Sequence, residues 1–489
     1  MLFMRLDKLL ERVEIIKTNC SPDMDITDIA FDSRRAGPGV AYVAARRIGA
    51  NGHDYLASAI ENGASVVVAE REMAGAPCVV VPDGNRAMAV MSANLYGNPA
   101  NRLKIVGITG TKGKSTTAFM IKTILERVYA CKVGLIGTLG VFAGDEMLEP
   151  AHNTTPEAPE LHRLFAQFVS LGCTYAVMEV SSHSLAIDRV WGIPFAASVF
   201  TNLSQDHLDY HVTMENYLRA KAKLFDMAPI AAVNGDDPAC AYLMEHTSSK
   251  KLRFSAKTAE ADLWAERIDH HSSSGVAFDA VTASACRRVH LSSPGGFMVY
   301  NALAAIGCAM VLGISMQDAA DAVSHTRPVP GRVQTVEAEQ GFRVIVDYAH
   351  TPESVRQMSE TAREFTKGRL ISVFGCGGNR DRTKRPRMGE AAAAYADLLV
   401  VTTDNPRFEE PEGIIADILP GIDREKCPTE VIPDRRAAIR RAIDLAAPGD
   451  TVLIMGKGHE TYQEVRGVRS HFDDREEVES YLKRGDVHD

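Results

Sequence analysis

The stretch KIVGITGTKGKSTTAFMIKTILERV (residues 104–128) leaves this chain few folding options. A short apolar run stops at Gly110 and Gly113. A helical pattern follows, with Ile121, Ile124, Leu125 and Val128 on one face. Such a strand–loop–helix junction points the N–H groups of its loop and first helical turn at one spot, which favours an anion. Lys114 is placed to neutralise β/γ-phosphates, and the Ser115 hydroxyl suits Mg²⁺. The spacing falls short of the full G-x-x-x-x-G-K-[ST] pattern, because Ile108 stands where the first glycine would be. The plainer alternative is a Gly-rich turn with a surface lysine. The strand–loop–helix setting favours a phosphate loop, with Gly110, Thr111, Lys112, Gly113, Lys114, Ser115 and Thr116 as the ATP-contacting residues.

The same alternation recurs along the chain. YAVMEV and ASVFTNL read as further buried strands after the loop. Beyond a Pro-rich joint at 324–336, FRVIVDYA, LISVFGCGG, LLVVTTDNP and TVLIMGKG are short apolar runs that end in polar or Gly-rich residues. Helical stretches such as MGEAAAAYA lie between them. This is the pattern of α/β domains with mostly parallel sheets, in which ligands sit at the carboxyl ends of the strands. A length of 489 residues suggests roughly three domains. The turn-rich segments YGNPANRL and SHTRPVPGRVQTV place the boundaries. The expected fold is α/β in three domains: a small N-terminal α/β domain over 1–98, a central P-loop mononucleotide-binding domain over 99–332, and a C-terminal Rossmann-like domain over 333–489.

Charge and cysteine usage narrow the class. A net charge of −9 argues against general binding to nucleic acid or anionic membranes, both of which need a basic face. Nine scattered cysteines without a C-x-x-C pair fit reduced thiols in a cytoplasmic protein. The start, MLFMRLDKLLERVEII, carries Arg5, Asp7 and Lys8 and reads as an amphipathic helix with Leu6, Leu9, Leu10 and Val13 on one side. No run is apolar and long enough to span a bilayer.

Two clusters follow the loop. Glu179 ends one strand in VMEVSSHSLAIDRV, and Asp206-His207 follow another in FTNLSQDHLDYH. YLRAKAKLF then supplies lysines on a helix. Glu179 and Ser115 are oxygen donors of the kind a hard cation takes. Taken singly, Asp206-His207 reads as a strand-end cap and Lys221 as part of a solvated helix face. Together, GTKGKST and the long pattern E-V-S-S-H…R-V…T-N-L-x-x-D-H-L-D-Y-H…A-K-x-x-L-F resemble the Mur ligases of peptidoglycan synthesis, in a superfamily that also includes folylpolyglutamate synthetase. The resemblance implies an ATP- and Mg²⁺-dependent amide ligase working through an acyl phosphate. It implies catalytic roles for Lys114, Glu179, His207 and Lys221, with Ser115, Glu179, His207 and Lys221 as the metal set. In the family the lysine matching Lys221 is carbamylated.

The resemblance covers essentially the whole chain and points to the branch that adds the third residue of the peptide. FDSRRAGPGVAYVA, NGHDY and AHNTTPEAP resemble its UDP-sugar contacts and imply substrate roles for Ser33, Asn153, Thr154, Thr155, Ser181 and Arg189. Ile187 departs, standing where a glutamine often contacts substrate. VYNALAAIG, VPGRV and DYAHTPES imply nucleotide contacts at Asn301, Arg332 and Asp347, although Met298 replaces a usual asparagine. DNPR resembles the diaminopimelate-adding members and implies that Asp404, Asn405, Pro406 and Arg407 hold the amino acid, with Arg380, Gly456 and Glu460. A guanidinium grips a carboxylate through two parallel hydrogen bonds, and the far end of diaminopimelate carries a carboxylate that lysine lacks. Three readings compete with this: Arg407 merely pairs with Glu409 or Glu410, the ligase adds L-lysine, or the chain is a degenerate nucleotide-binding scaffold. The expected partners are a UDP-N-acetylmuramoyl-dipeptide and a diamino acid, with no nucleic acid and no membrane insertion, and a monomer is expected.

Overall fold

A computed structural model describes residues 3–73, 75–151, 153–269 and 275–485. Two compact units emerge. The first comprises Met1–Ala265, Ala280–Arg287 and Tyr300–Val323, and the second Glu266–Asp279, Arg288–Val299 and Ser324–Asp489.

The first unit holds two large sheets. The N-terminal sheet has 5 strands, and its four C-terminal neighbours run parallel from Cys78–Val80 through Val66–Ala69 and Val40–Val43 to Asp28–Ala30. Valines and alanines buried on both faces fill these strands, as covered parallel sheets require. The expected N-terminal helix is a correction. Only Leu6–Leu9 is helical, because Met4–Arg5 pairs as a strand with Asp25–Ile26 and Arg12 turns the chain at φ 65°. Leu6, Leu9 and Leu10 are buried as the pattern predicts, whereas Met1 and Leu2 lie outside the described residues.

The second sheet of this unit is built around Lys104–Thr109. Its parallel run is ordered Val133–Gly137, Tyr175–Glu179, Lys104–Thr109, Phe195–Phe200, Ile230–Asn234 and Lys250–Ser255. The Lys114–Tyr129 helix packs on it through Ile121, Ile124 and Leu125, each at most 1% exposed. Truncating one such side chain to alanine costs about 2–5 kcal/mol. The chain passes to opposite sides of the central strand, so a crevice opens at its carboxyl end, where the Gly-rich loop begins.

The second unit carries a 6-stranded sheet ordered Gln334–Glu337, Arg343–Asp347, Thr451–Met455, Leu370–Phe374, Leu398–Val401 and Thr429–Val431. Only the first pair is antiparallel. The four apolar runs expected to be strands are these central strands. Asp347, Gly375–Gly378, Thr402–Arg407 and Gly456–Glu460 therefore all leave the same sheet edge.

Candidate active site

The Gly-rich loop is shaped by its neighbours. Gly110 has φ 152° and Gly113 φ 82°, a region glycine enters without the Cβ penalty. A methyl at Gly110 would collide with Thr201 Oγ1, and one at Gly113 with Asn301 Oδ1. The T-N-L segment stitches the loop in place. Thr111 N donates to Asn202 O at 2.8 Å, Lys112 N donates to Asn202 Oδ1 at 2.9 Å, and Thr201 Oγ1 donates to Lys112 O at 2.7 Å. Ser115 and Thr116 are buried in the first helical turn, and Thr117 Oγ1 reaches Asn301 Oδ1 at 3.5 Å. Asn301 thus lies against the loop.

Lys114 and Lys221 meet at one carbonyl. Lys114 Nζ donates to Gly110 O at 2.9 Å and to Thr111 O at 3.0 Å, while Lys221 Nζ donates to Gly110 O at 2.9 Å. Lys221 is 1% exposed and sits over the Tyr217 ring. Burial and then the Lys114 charge push its amine well below the usual lysine range, with Asp206 opposing. Lys221 is therefore enclosed against the loop, in place of the solvated helix face that a lysine more often occupies.

His207 has a left-handed backbone, φ 52°, which is costly for a residue with a Cβ. Its N–H donates to Asp206 Oδ1 at 3.0 Å, and its ring stacks edge-on to His183 at 4.7 Å between centroids. Burial pushes His207 down; Asp206 opposes this, and Lys114 and Lys221 add to it. Glu179 pairs in register with Ile108 on the neighbouring strand. Its carboxylate accepts from Thr138 N at 2.9 Å and Thr138 Oγ1 at 3.1 Å. Among the described residues, no three His, Cys, Asp or Glu side chains form a ready-made metal group. The donor chemistry is still oxygen-led: the Ser115 hydroxyl and Glu179 carboxylate suit Mg²⁺, with His207 a single nitrogen. Lys221 would become an oxygen ligand only as a carbamate.

The N-T-T-P segment is pinned to the end of the Glu179 strand. Thr155 Oγ1 donates to Glu179 O at 2.9 Å and accepts from Ser181 N at 3.0 Å, and Thr154 Oγ1 lies 3.1 Å from Thr138 Oγ1. Ser181 Oγ caps the helix that follows by accepting from Ser184 N. Arg189 is buried, donates to Thr155 O at 3.1 Å, and lies 2.6 Å from Glu157 Oε1. Asn153 is exposed, and Ser33 is buried with its carbonyl accepting from Asn62 Nδ2 at 2.9 Å. Ile187, the departure from the family pattern, offers its carbonyl to Asn85 Nδ2 at 2.8 Å.

In the second unit, Asp347 closes its strand with both oxygens engaged: Val333 N donates to Oδ2 at 2.9 Å and Ala349 N to Oδ1 at 2.8 Å. Arg332 stacks over the Tyr348 ring at 4.9 Å. These contacts bring the segments of Arg332 and Asp347, two of the expected nucleotide residues, side by side.

Asp404, Asn405, Pro406 and Arg407 follow the Leu398–Val401 strand and lie beside Gly456 and Glu460. Asn405 Nδ2 donates to Glu460 Oε2 at 2.7 Å, and a methyl at Gly456 would stand 2.5 Å from Asp404 Oδ2. Burial and the Asp404 charge push the Glu460 carboxyl up, against Lys457, Asn405 and Arg407. Arg407, at φ 53°, donates from Nη1 to Gly378 O at 2.8 Å. Among the described residues, the competing surface pairing of Arg407 with Glu409 or Glu410 is not formed. Glu409 is gripped by Arg385 through two bonds, Nη1 to Oε2 at 2.9 Å and Nη2 to Oε1 at 2.8 Å, and Glu410 pairs with Arg466 at 2.8 Å. Arg380 is exposed on the loop that Arg407 holds.

Sequence reasoning missed several supports. Thr138 carries no motif signal. Thr201 and Asn202 were legible only as part of T-N-L. Arg385, 1% exposed, and the buried Arg435–Asp474 pair, at 2.6 Å, brace the strand ends from afar. Lys457 sits wholly buried between two flagged residues.

Comparison with known proteins shows which family the chain resembles over its length. Residues 108–309 match the Mur ligase middle domain, and residues 331–458 match the Mur ligase, glutamate ligase domain. A UDP-N-acetylmuramoyl-L-alanyl-D-glutamate--2,6-diaminopimelate ligase of Clostridium botulinum is 42% identical over 98% of this chain and 100% of its own length. One of Caldanaerobacter subterraneus subsp. tengcongensis is 45% identical over 98% and 99%. A solved structure of a ligase of that name superposes with a TM-score of 0.72 at 32% identity, covering 99% of both chains. On this full-length similarity, the chain belongs to the Mur ligase family, in the branch of the 2,6-diaminopimelate ligases.

Proposed function

We propose that the chain joins meso-2,6-diaminopimelate to UDP-N-acetylmuramoyl-L-alanyl-D-glutamate at the expense of ATP. The observation that carries this reading is the site around Arg407. One guanidinium, turned away from Glu409 and Glu410, and one partly buried carboxylate, Glu460, face the same strand edge. An end group with both a carboxylate and an ammonium satisfies both. Lysine would leave Arg407 without its anion, a mismatch of a few kcal/mol.

A carboxylate is a poor electrophile. Transfer of the ATP γ-phosphoryl group onto the D-glutamyl carboxylate gives an acyl phosphate and ADP; the diamino acid's amine then attacks, releasing phosphate and forming the amide. The loop N–H groups and Lys114 hold the phosphates and offset their charge. Mg²⁺ held by Ser115, Glu179 and His207 would supply charge neutralisation and orientation. Carbamylation of Lys221 by CO₂ would bond the nitrogen lone pair to carbon with loss of a proton, and the resulting carbamate anion would supply an oxygen ligand to Mg²⁺. Thr155, Ser181 and Arg189 shape the UDP-sugar end, with Ser33, Asn153 and Thr154. Asn301, Arg332 and Asp347 receive the nucleotide.

We read the protein as a cytoplasmic monomer divided at 98 and 332 into three domains; limited proteolysis and size-exclusion chromatography test the domain bounds and the oligomeric state. Among the described residues no helix is long and apolar enough to cross a membrane. The deciding experiment is ATP-dependent phosphate release with UDP-N-acetylmuramoyl-L-alanyl-D-glutamate, comparing meso-diaminopimelate with L-lysine. Strong preference for diaminopimelate is expected. Equal use of both removes the specificity reading, and no turnover with either removes the function.

A further inference from the structure

Lys457 has no assigned role, yet its charge is fully enclosed beside the amino-acid end of the site. Its side chain is 0% exposed. Nζ donates to Asn405 Oδ1 at 3.0 Å and lies 3.6 Å from Glu460 Oε2. Asn405 Oδ1 also accepts from Glu464 N at 2.9 Å. An amide oxygen held by two donors leaves its NH₂ on the opposite side, and that NH₂ donates to Glu460 Oε2 at 2.7 Å. Flipping the amide would set donor against donor on one side and oxygen against carboxylate on the other. Lys457 therefore removes the rotational ambiguity of Asn405, and Asn405 in turn fixes Glu460.

We infer that Lys457 is a positioning residue for ammonium recognition: acting through Asn405, it holds the Glu460 carboxylate in the one orientation that receives the distal ammonium of the diamino acid. This rests on the functional reading above. It adds a residue that touches no substrate atom and still sets specificity.

Charge supports the geometry. Glu460 is faced by Asp404, Lys457, Arg407, Arg435, Tyr348 and Tyr462. Burial and then Asp404 favour its neutral form, which cannot pair with an ammonium; Lys457 is the largest opposing charge. Lys457 is itself pushed down by burial, with Asp404 and Glu460 holding it up and Arg435 pressing it down. Removing the lysine leaves the buried Asp404 and the partly buried Glu460 facing each other, and one of them takes up a proton at higher pH.

The test is steady-state kinetics on Lys457→Met, Asn405→Asp and the double variant. Lys457→Met is expected to raise KM for meso-diaminopimelate about tenfold, the loss expected of one charge-assisted hydrogen bond. KM for ATP and for the UDP-sugar dipeptide should stay within about twofold, because the lost contact is local. The acid limb of kcat/KM for diaminopimelate should move to higher pH. Asn405→Asp should do the same, and the double variant should be no worse than the poorer single, since both act on Glu460. 2-Aminopimelate keeps the far carboxylate and lacks the far ammonium, so wild type and Lys457→Met should use it equally. An unchanged KM, a rise in all three KM values that tracks a lower Tm, or an equal penalty with 2-aminopimelate would overturn the inference. If Lys457→Met does not fold, Asn405→Asp decides, with the same readouts. Wild type that fails to use diaminopimelate overturns the functional reading itself.

Discussion

Replacing Arg407 by alanine is the sharpest perturbation of the proposed site. The backbone at Arg407 is left-handed, but arginine and alanine bear that strain alike, so the change is confined to the side chain. Among the described residues, its side-chain hydrogen bond is to Gly378 O, which leaves most of the guanidinium's donors for a ligand. Two charge-assisted bonds to a carboxylate contribute about 3–5 kcal/mol when enclosed. Arg407 is only half-buried, so solvent screening reduces this to about 2–3 kcal/mol. That corresponds to a loss of roughly 30- to 150-fold in kcat/KM for diaminopimelate. L-Lysine has no carboxylate there, so its kcat/KM should barely move and the preference should collapse. Phosphate release with each amino acid, in wild type and Arg407→Ala, measures both numbers. A variant that keeps the wild-type preference would refute the assignment of Arg407 to the distal carboxylate.

Three further outcomes follow from the same geometry. Lys221→Ala should lose activity, and an added short-chain carboxylate should partly restore it by replacing the carbamate; full activity of the variant would remove the carbamate proposal. Gly110→Ala should abolish ATP binding in a calorimetric titration, because its methyl collides with Thr201 Oγ1 and forces the loop open; retained nanomolar-to-micromolar binding would contradict the loop's role. Glu409 is held down to about 2 by Arg385, first through its hydrogen bonds, then by the Asn379 N–H. Its native value is depressed, so its contribution, roughly 1–3 kcal/mol after screening, is complete above the ordinary carboxylate range and is lost as pH falls towards about 2. Acid titration of Glu409→Gln should show that part of the stability loss already present at neutral pH; superimposable acid-unfolding curves would contradict it.

Much of this molecule is legible in one dimension because its determinants are local. A six-residue apolar strand, glycines at the two positions with positive φ, and a helix with a 3.6-residue stripe predict the loop around Lys114 without any partner. The four strands of the second unit are equally local, being continuous apolar runs closed by polar residues. The N-terminal helix fails for the opposite reason. Its apolar spacing is helical, but Met4–Arg5 finds a strand partner about twenty residues later, and pairing overrides a weak propensity.

The site divides along the same line. Sequence order alone marks the residue types: Lys114 after glycine, Glu179 at a strand end, Arg407 after proline. It cannot say what they face. Read linearly, Arg407 sits among acids that should neutralise it. In the fold, the left-handed turn at Arg407 swings it onto Gly378, while Arg385, on a helix that begins before the acids in sequence, claims Glu409. Lys457, Asn405 and Glu460 become neighbours only because two strands distant in sequence lie in one parallel sheet and end at the same edge. Local chemistry is set by covalent order and burial pattern; the partner of each charge is set by sheet topology, which brings together residues that sequence spacing keeps apart.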